Sequence, residues 1–193
     1  MTTAQRPAGS PATSIWTIDP VHSLVEFSAK HMMITTVKGR FGTVNGTITA
    51  DLRNPDNSHV EVEIDAASLD TRTEQRDQHL RSADFLDVER YPTITFKSTS
   101  VQGAYAREGD EFKVMGDLTI RGTTRRVTLD CTFDGTNKDP WGGERAGFSA
   151  STKIDRREWG LTWNQALETG GILVGNEIKV SLEVQAVRQT AQS

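Results

Sequence analysis

Glu111–Phe133, EFKVMGDLTIRGTTRRVTLDCTF, alternates apolar and polar residues twice around a short turn. Phe112, Val114, Gly116, Leu118 and Ile120 share one parity, with Lys113, Met115, Asp117 and Thr119 between them. Arg121-Gly122-Thr123-Thr124 reads as a turn, and Val127, Leu129, Cys131 and Phe133 then resume the alternation. Side chains in a strand point to opposite faces with period two, so this pattern means an antiparallel hairpin, apolar on one face and wet on the other.

The same pattern extends in both directions. Upstream rows are Val25, Phe27, Ala29 and His31; Val37, Gly39 and Phe41; Val44, Gly46, Ile48 and Ala50; Val60, Val62, Ile64 and Ala66; and Ile94, Phe96 and Ser98. Downstream rows are Ala146, Phe148, Ala150, Thr152 and Ile154, then Ile178, Val180, Leu182, Val184 and Ala186. Between Phe41 and Val44 the parity shifts, as a β-bulge near Gly42 would produce. Eight antiparallel strands result. Asn54-Pro55-Asp56-Asn57, Arg107-Glu108-Gly109-Asp110 and Asp134-Gly135-Thr136-Asn137 read as further turns. Short sequential connections favour an up-and-down barrel, with a two-sheet sandwich as the competing architecture.

One stretch departs from alternation. Asp77–Phe96, DQHLRSADFLDVERYPTITF, opens with a charged helical pattern in which Leu80, Ala83 and Leu86 share a face, and it breaks at Tyr91-Pro92. A single helical insertion in an all-β chain suggests a cover for one barrel end. Many row positions are small, among them Ala29, Gly39, Gly46 and Gly116, and none of the four tryptophans falls in a row. Both features favour a cavity over a filled interior, since eight strands leave room for side chains or one small ligand. Tight packing with glycine at strand bends is the alternative.

The 193 residues suit one domain, expected over 15–187, with a disordered tail at 1–14 and a C-terminal tail at 188–193. Net charge is −4, which argues against nucleic-acid binding. There is no run of about 18 apolar residues to span a membrane. MTTAQRPAGSPATS at the start contains no apolar signal segment, so a cytoplasmic location is expected. Cys131 is the sole cysteine and reads as a small buried strand residue. No His-x-His or His-Glu-x-x-His spacing points to a metal, and no Gly-x-Ser-x-Gly elbow points to a nucleophile.

A family resemblance rests on blocks in a fixed order. They are Trp16-x-Ile18-Asp19-x-x-His22-Ser23, Phe27-x-x-x-His31, Val37-x-Gly39-x-Phe41, and Asp77-x-His79-Leu80-Arg81-Ser82-x-Asp84-Phe85-Leu86-Asp87. Tyr91-Pro92-x-Ile94-x-Phe96, Gly116-x-Leu118-Thr119-Ile120-Arg121-Gly122, Phe148-x-Ala150 and Arg157-x-x-Gly160 follow. In this order the chain closely resembles the YceI-like family of polyisoprenoid-binding, lipocalin-like proteins. The resemblance implies an extended eight-stranded antiparallel lipocalin-like barrel holding a long isoprenoid lipid, with no cofactor, and homodimerisation as a family-level expectation. Many members carry a secretion signal, which the opening residues do not match.

Such a site works by apolar burial. A prenyl chain of about twenty carbons gains roughly 16 kcal/mol gross at ~0.8 per carbon, before ordering and association costs. Candidate liners are Phe27, Ala29, His31, Val37, Phe41, Val62, Ile64, Phe85, Phe96, Phe112, Val114, Leu118 and Phe148, each equally explained as core. Arg72, Arg76, His79 and Arg81 are candidates for a polar or phosphorylated head group, against the plainer reading of a solvated charged face. An enzyme acting on such a lipid is an alternative, with His31 its one inward polar candidate. A filled barrel that presents its outer strands to partners is another.

Overall fold

The computed structural model describes residues 13–103 and 105–190. Residues 1–12 and 191–193 of the expected tails lie outside the described residues, whereas Thr13, Ser14 and Arg188 already belong to strands. The elements are β1 (Thr13–Ile18), β2 (Leu24–His31), β3 (Thr35–Phe41), β4 (Val44–Asp51), β5 (His59–Asp65), β6 (Leu69–Asp70), α1 (Glu74–Arg81), β7 (Thr93–Gln102), β8 (Glu111–Ile120), β9 (Thr123–Lys138), β10 (Glu144–Asp155) and β11 (Val174–Arg188).

Hydrogen bonding runs in the order β1-β4-β5-β7-β8-β9-β10-β11, and β1 pairs back onto β11 through Trp16↔Arg188 and Ile18↔Ala186. Eight antiparallel strands therefore close a barrel, which removes the sandwich. The closure is doubled along its seam. β2 continues β1 beyond Asp19–Ser23 and pairs with the other half of β11, at Leu182↔Val25 and Val180↔Phe27. β3 and β4 are likewise two halves of one strand, broken at Gly42-Thr43 where the parity shifts. Two short strands thus serve as each long one, with a bend that lets the seam follow the barrel's curvature.

Asp134-Gly135-Thr136-Asn137 is not a turn. It lies inside β9, where Phe148 pairs with Phe133 and Gly147 with Gly135, leaving Asp134 as the extra residue of a bulge. Gly135 takes a φ of 104°, which its missing side chain permits. Pairing continues to Lys138, and the chain reverses at Asp139–Gly143, where Asp139 accepts the N–H groups of Trp141 and Gly143. The helix also differs from expectation. It starts at Glu74 and ends at Arg81, so Ala83 is exposed, while the following turns bury Phe85 and Leu86.

Two tryptophans correct the inference that this residue type stays out of the barrel. Trp16 is a buried β1 residue, and Trp159 is 1% exposed, in a short 3-10 turn after β10. β10 stays paired to β9 only as far as Ser151↔Asp130, although it runs on to Asp155. Beyond that divergence Trp159 packs inward, and its indole N–H donates to the Leu118 carbonyl at 3.0 Å. The glycines act less by being small than by seating aromatic rings. A Cβ on Gly116 would stand 2.5 Å from Cζ of Phe96, and one on Gly39 would overlap Phe27, so both rings lie flat on a neighbouring strand.

Candidate functional site

The barrel interior holds two cavities. The upper one, about 160 Å³, is bounded by Ile18, Val62, Phe96, Phe112, Val114 and Phe148 among others, with Ser58 and Tyr105 at its wall. The lower one, about 340 Å³, includes Phe27, Ala29, His31, Val37, Phe41 and Phe85 in its lining. Val25, Ile64, Leu118 and Val180 border both. Those four branched aliphatic side chains form a waist that separates an upper chamber from a lower one. All thirteen positions read as liners from the alternation therefore bound one chamber or the other.

The chambers differ in polarity. Three hydroxyl-bearing side chains (Ser58, Tyr105 and Thr152) and the Cys131 thiol interrupt the upper wall. Ser58 and Tyr105 satisfy one another through their hydroxyls, and Ser58 also accepts the Asp51 N–H. Burial pushes the Cys131 thiol up to about 12, so it is not a nucleophile at neutral pH. The lower chamber adds Lys30, His31, Arg76, His79 and Arg156 to its apolar wall.

Local folding positions these groups. Asp77, 4% exposed, accepts the backbone N–H and the hydroxyl of Thr71 and so ties α1 to the end of β6. Arg76 donates from Nε to Thr71 Oγ1 at 2.7 Å and from Nη2 to the Thr71 carbonyl at 2.8 Å, and its side chain borders the chamber. His79 stands edge-on to Trp163 and Phe85, with centroids 4.6 and 5.1 Å away, and bonds the Asp84 carboxylate through Nε2. Leu80, Phe85 and Leu86 complete this cover.

Arg72 and Arg81 fall elsewhere. Neither borders a chamber. Arg81 donates to the carbonyls of Ala67 and Leu69, stitching the helix to the preceding turn. Arg72 is exposed, with a left-handed φ of 63°. Arg72 precedes α1, and the helix turns only part of its surface towards the lumen.

Arg156 is the group the sequence reading missed. It is 4% exposed, and its guanidinium donates to the carbonyls of Leu161 (2.7 Å), Trp163 (2.9 Å), Gly175 (3.1 Å) and Val174 (3.3 Å). Burial pulls its pKa down, opposed by nearby Asp155. That carboxylate is bound to Arg157 and is lowered to about 2, chiefly by the Arg157 hydrogen bond. Arg156 therefore brings a positive charge to the chamber wall while organising the 161–175 segment. The Arg157-x-x-Gly160 block was the available signal, displaced by one residue. Among the described residues, no group of three or more His, Cys, Asp or Glu side chains is arranged to hold a metal.

Known proteins share this sequence pattern and this fold. The model of the YceI-like domain matches residues 16–186. The chain belongs to the YceI-like family. Protein YceI of Escherichia coli O157:H7 is 39% identical over 184 residues, covering 94% of this chain and 91% of that protein. Among solved structures, a Campylobacter jejuni YceI protein is 30% identical, with a TM-score of 0.68, over 83% of this chain and 90% of its own. A polyisoprenoid binding domain from Saccharophagus degradans, implicated in plant cell wall breakdown, has a TM-score of 0.67 over 90% of this chain and 98% of its own. Its identity is 13%, so that likeness is one of fold. No helix of this YceI-like chain is long and apolar enough to cross a membrane, among the described residues.

Proposed function

We propose that this protein binds a long isoprenoid, or a similar amphiphilic lipid, without covalent attachment, for carriage, storage or sequestration. The observation that carries the reading is the pair of chambers that share a waist, the upper one apolar apart from Ser58, Tyr105, Thr152 and Cys131 and the lower one edged with cations. An extended chain fits such a shape better than a compact ligand does. The two volumes together lie within the ~300–1,000 Å³ usual for ligand pockets. The tail occupies the upper chamber through the waist, and the head lies among Arg76, His79, His31 and Arg156. Phe27, Ala29, Val37, Phe41 and Phe85 grip the chain near the head. Val62, Ile64, Phe96, Phe112, Val114, Leu118 and Phe148 grip it further in. Arg72 and Arg81 take no direct part in this reading.

Binding, rather than turnover, is the activity this geometry supports. Tail burial needs no reacting group, and affinity comes from apolar area together with a preformed cavity. The enzyme alternative has one local arrangement to consider: Ser98 bonds His59 Nδ1 at 3.1 Å, and His59 Nε2 meets Glu61 at 3.1 Å. Ser98 Oγ also accepts the Val60 N–H and borders neither chamber, so this chain acts as a strand-edge clasp. Residence in the cytoplasm and pairing into a homodimer belong to the same proposed reading, and cell fractionation and sedimentation velocity test them.

The decisive experiment is native mass spectrometry of the purified protein, followed by solvent extraction and lipid analysis. A bound prenyl lipid, or uptake of one added in detergent, is the expected result. A protein that is recovered empty and takes up no prenyl lipid refutes the proposal.

A further inference from the structure

The β2–β3 hairpin ends in Met32-Met33-Ile34, which are 41%, 59% and 75% exposed. Three consecutive large apolar side chains in water are unusual at a hairpin tip. The backbone makes them more so. Met32 and Met33 adopt φ angles of 52° and 59°, and the Ile34 N–H donates to the His31 carbonyl, as in a type I′ turn. That turn favours Asn-Gly, because side chains are strained at positive φ. Here the residues suited to the turn are absent, and bulky thioethers stand in their place. The Met32 N–H donates to the Leu173 carbonyl at 2.7 Å, so the tip is braced against the 165–173 segment.

The tip's position relates it to the tube. Lys30 and His31, immediately before it, border the lower chamber, as do Leu173 and Val174 beside it. Met32, Met33 and Ile34 border neither chamber. They project at the same end of the barrel as the cationic chamber wall. Charge follows the same division. From Phe27 to Ala50 the chain has no Asp or Glu, while Lys30, Lys38 and Arg40 are cations, in a protein whose net charge is −4. Arg40 is paired with Asp70 at 3.5 Å, and no ion pair engages Lys30 or Lys38 among the described residues.

We propose that Met32-Met33-Ile34 is a docking tip that inserts into the surface of an anionic lipid bilayer, setting the lower chamber against the membrane for lipid transfer. The inference rests on the lipid-binding reading above. Methionine's unbranched, polarisable side chain adapts to a disordered acyl boundary. Lys30 and Lys38, exposed and engaged in no ion pair among the described residues, supply positive charge for an anionic leaflet. A tip of this size gives weak, reversible attachment, which suits a carrier that must leave again.

The test is flotation with vesicles of phosphatidylcholine and phosphatidylglycerol in equal parts. It compares wild type with the triple variant Met32→Asn, Met33→Gly, Ile34→Thr. Asn-Gly suits the turn, so the variant should melt at or above the wild-type temperature. The expected result is vesicle partitioning about tenfold to a hundredfold weaker in the variant, from the loss of partly inserted apolar side chains. Uptake of prenyl lipid from detergent solution should be unchanged. Equal flotation of both proteins, or none by wild type, overturns the docking tip. So does a wild-type dimer that the variant loses without any vesicle binding, because the tip then serves a second copy. If both proteins take up prenyl lipid and neither floats, docking alone fails. If vesicle binding depends on the tip but neither protein takes up prenyl lipid, the tip stands and the lipid-carrier reading fails.

Discussion

Filling the waist should convert the tube from a long-chain site into a short-chain one. Val25 is 4% exposed and borders both chambers, and Val180 does so from β11. Val25→Phe or Val180→Phe places a ring where only branched aliphatic side chains now meet. Each isoprene unit carries five carbons, worth about 4 kcal/mol gross at ~0.8 per buried carbon. Ordering the chain takes back a part, leaving roughly 2 kcal/mol per unit, or about thirtyfold in Kd. A three-unit prenyl lipid confined to the lower chamber should therefore bind either variant within a few-fold of wild type. An eight-unit lipid should lose its advantage over the short one. The assay is a competition series against a fluorescent prenyl probe, with chain length as the variable. Overpacking itself costs about 1–3 kcal/mol, so melting temperatures accompany every measurement. Two substitutions from different strands guard against a local misfit. If both folded variants keep the wild-type preference for long chains, the tail does not thread the waist, and the two-chamber reasoning is wrong.

Replacing Arg156 by Met strands four carbonyls, those of Leu161, Trp163, Val174 and Gly175, and should cost about 3–5 kcal/mol in urea unfolding. A loss below about 1 kcal/mol would mean the guanidinium does not organise that segment. Gly116→Ala puts a Cβ 2.5 Å from the Phe96 ring and 2.6 Å from the Lys97 carbonyl. The ring can swing into the upper chamber but the backbone cannot yield, so a loss of about 2 kcal/mol is expected by thermal unfolding, together with weaker uptake of long prenyl chains. The Asp19 carboxyl is lowered from 3.8 to about 2 by its hydrogen bond with His22, opposed by burial and reinforced by Arg145. Its depressed value contributes stability that is fully present above pH 3.8 and is lost as pH falls through about 2. Asp19→Asn should thus cost about 1–2 kcal/mol at pH 7, after allowance for solvent contact, and the gap to wild type should close between those two pH values in urea titrations. A gap independent of pH would assign the loss to packing.

Alternation was legible residue by residue because it is a local property: each side chain reports its own face. That period placed the strands, the parity shift between Phe41 and Val44 located the broken strand, and the order of blocks identified the family. It also gathered the inward rows whose members border the chambers. Local patterns misled where a second chain segment decides the outcome. Asp134-Gly135 has turn chemistry, yet β10 continues to pair beyond it and makes it a bulge. Leu80, Ala83 and Leu86 have helical spacing, yet the helix stops at Arg81 and the chain folds Phe85 and Leu86 under the barrel end.

The sequence by itself determined that this chain is a meander of amphipathic strands with an apolar interior and one interruption, because period-two patterning needs no partner to be read. Only the tertiary structure decided which cations face that interior. Arg156 and Arg157 are adjacent and chemically identical, but one reaches four carbonyls contributed by residues 161–175 while the other pairs with Asp155 at the surface. Burying a guanidinium requires acceptors from distant segments, and which segments those are depends on how the barrel closes.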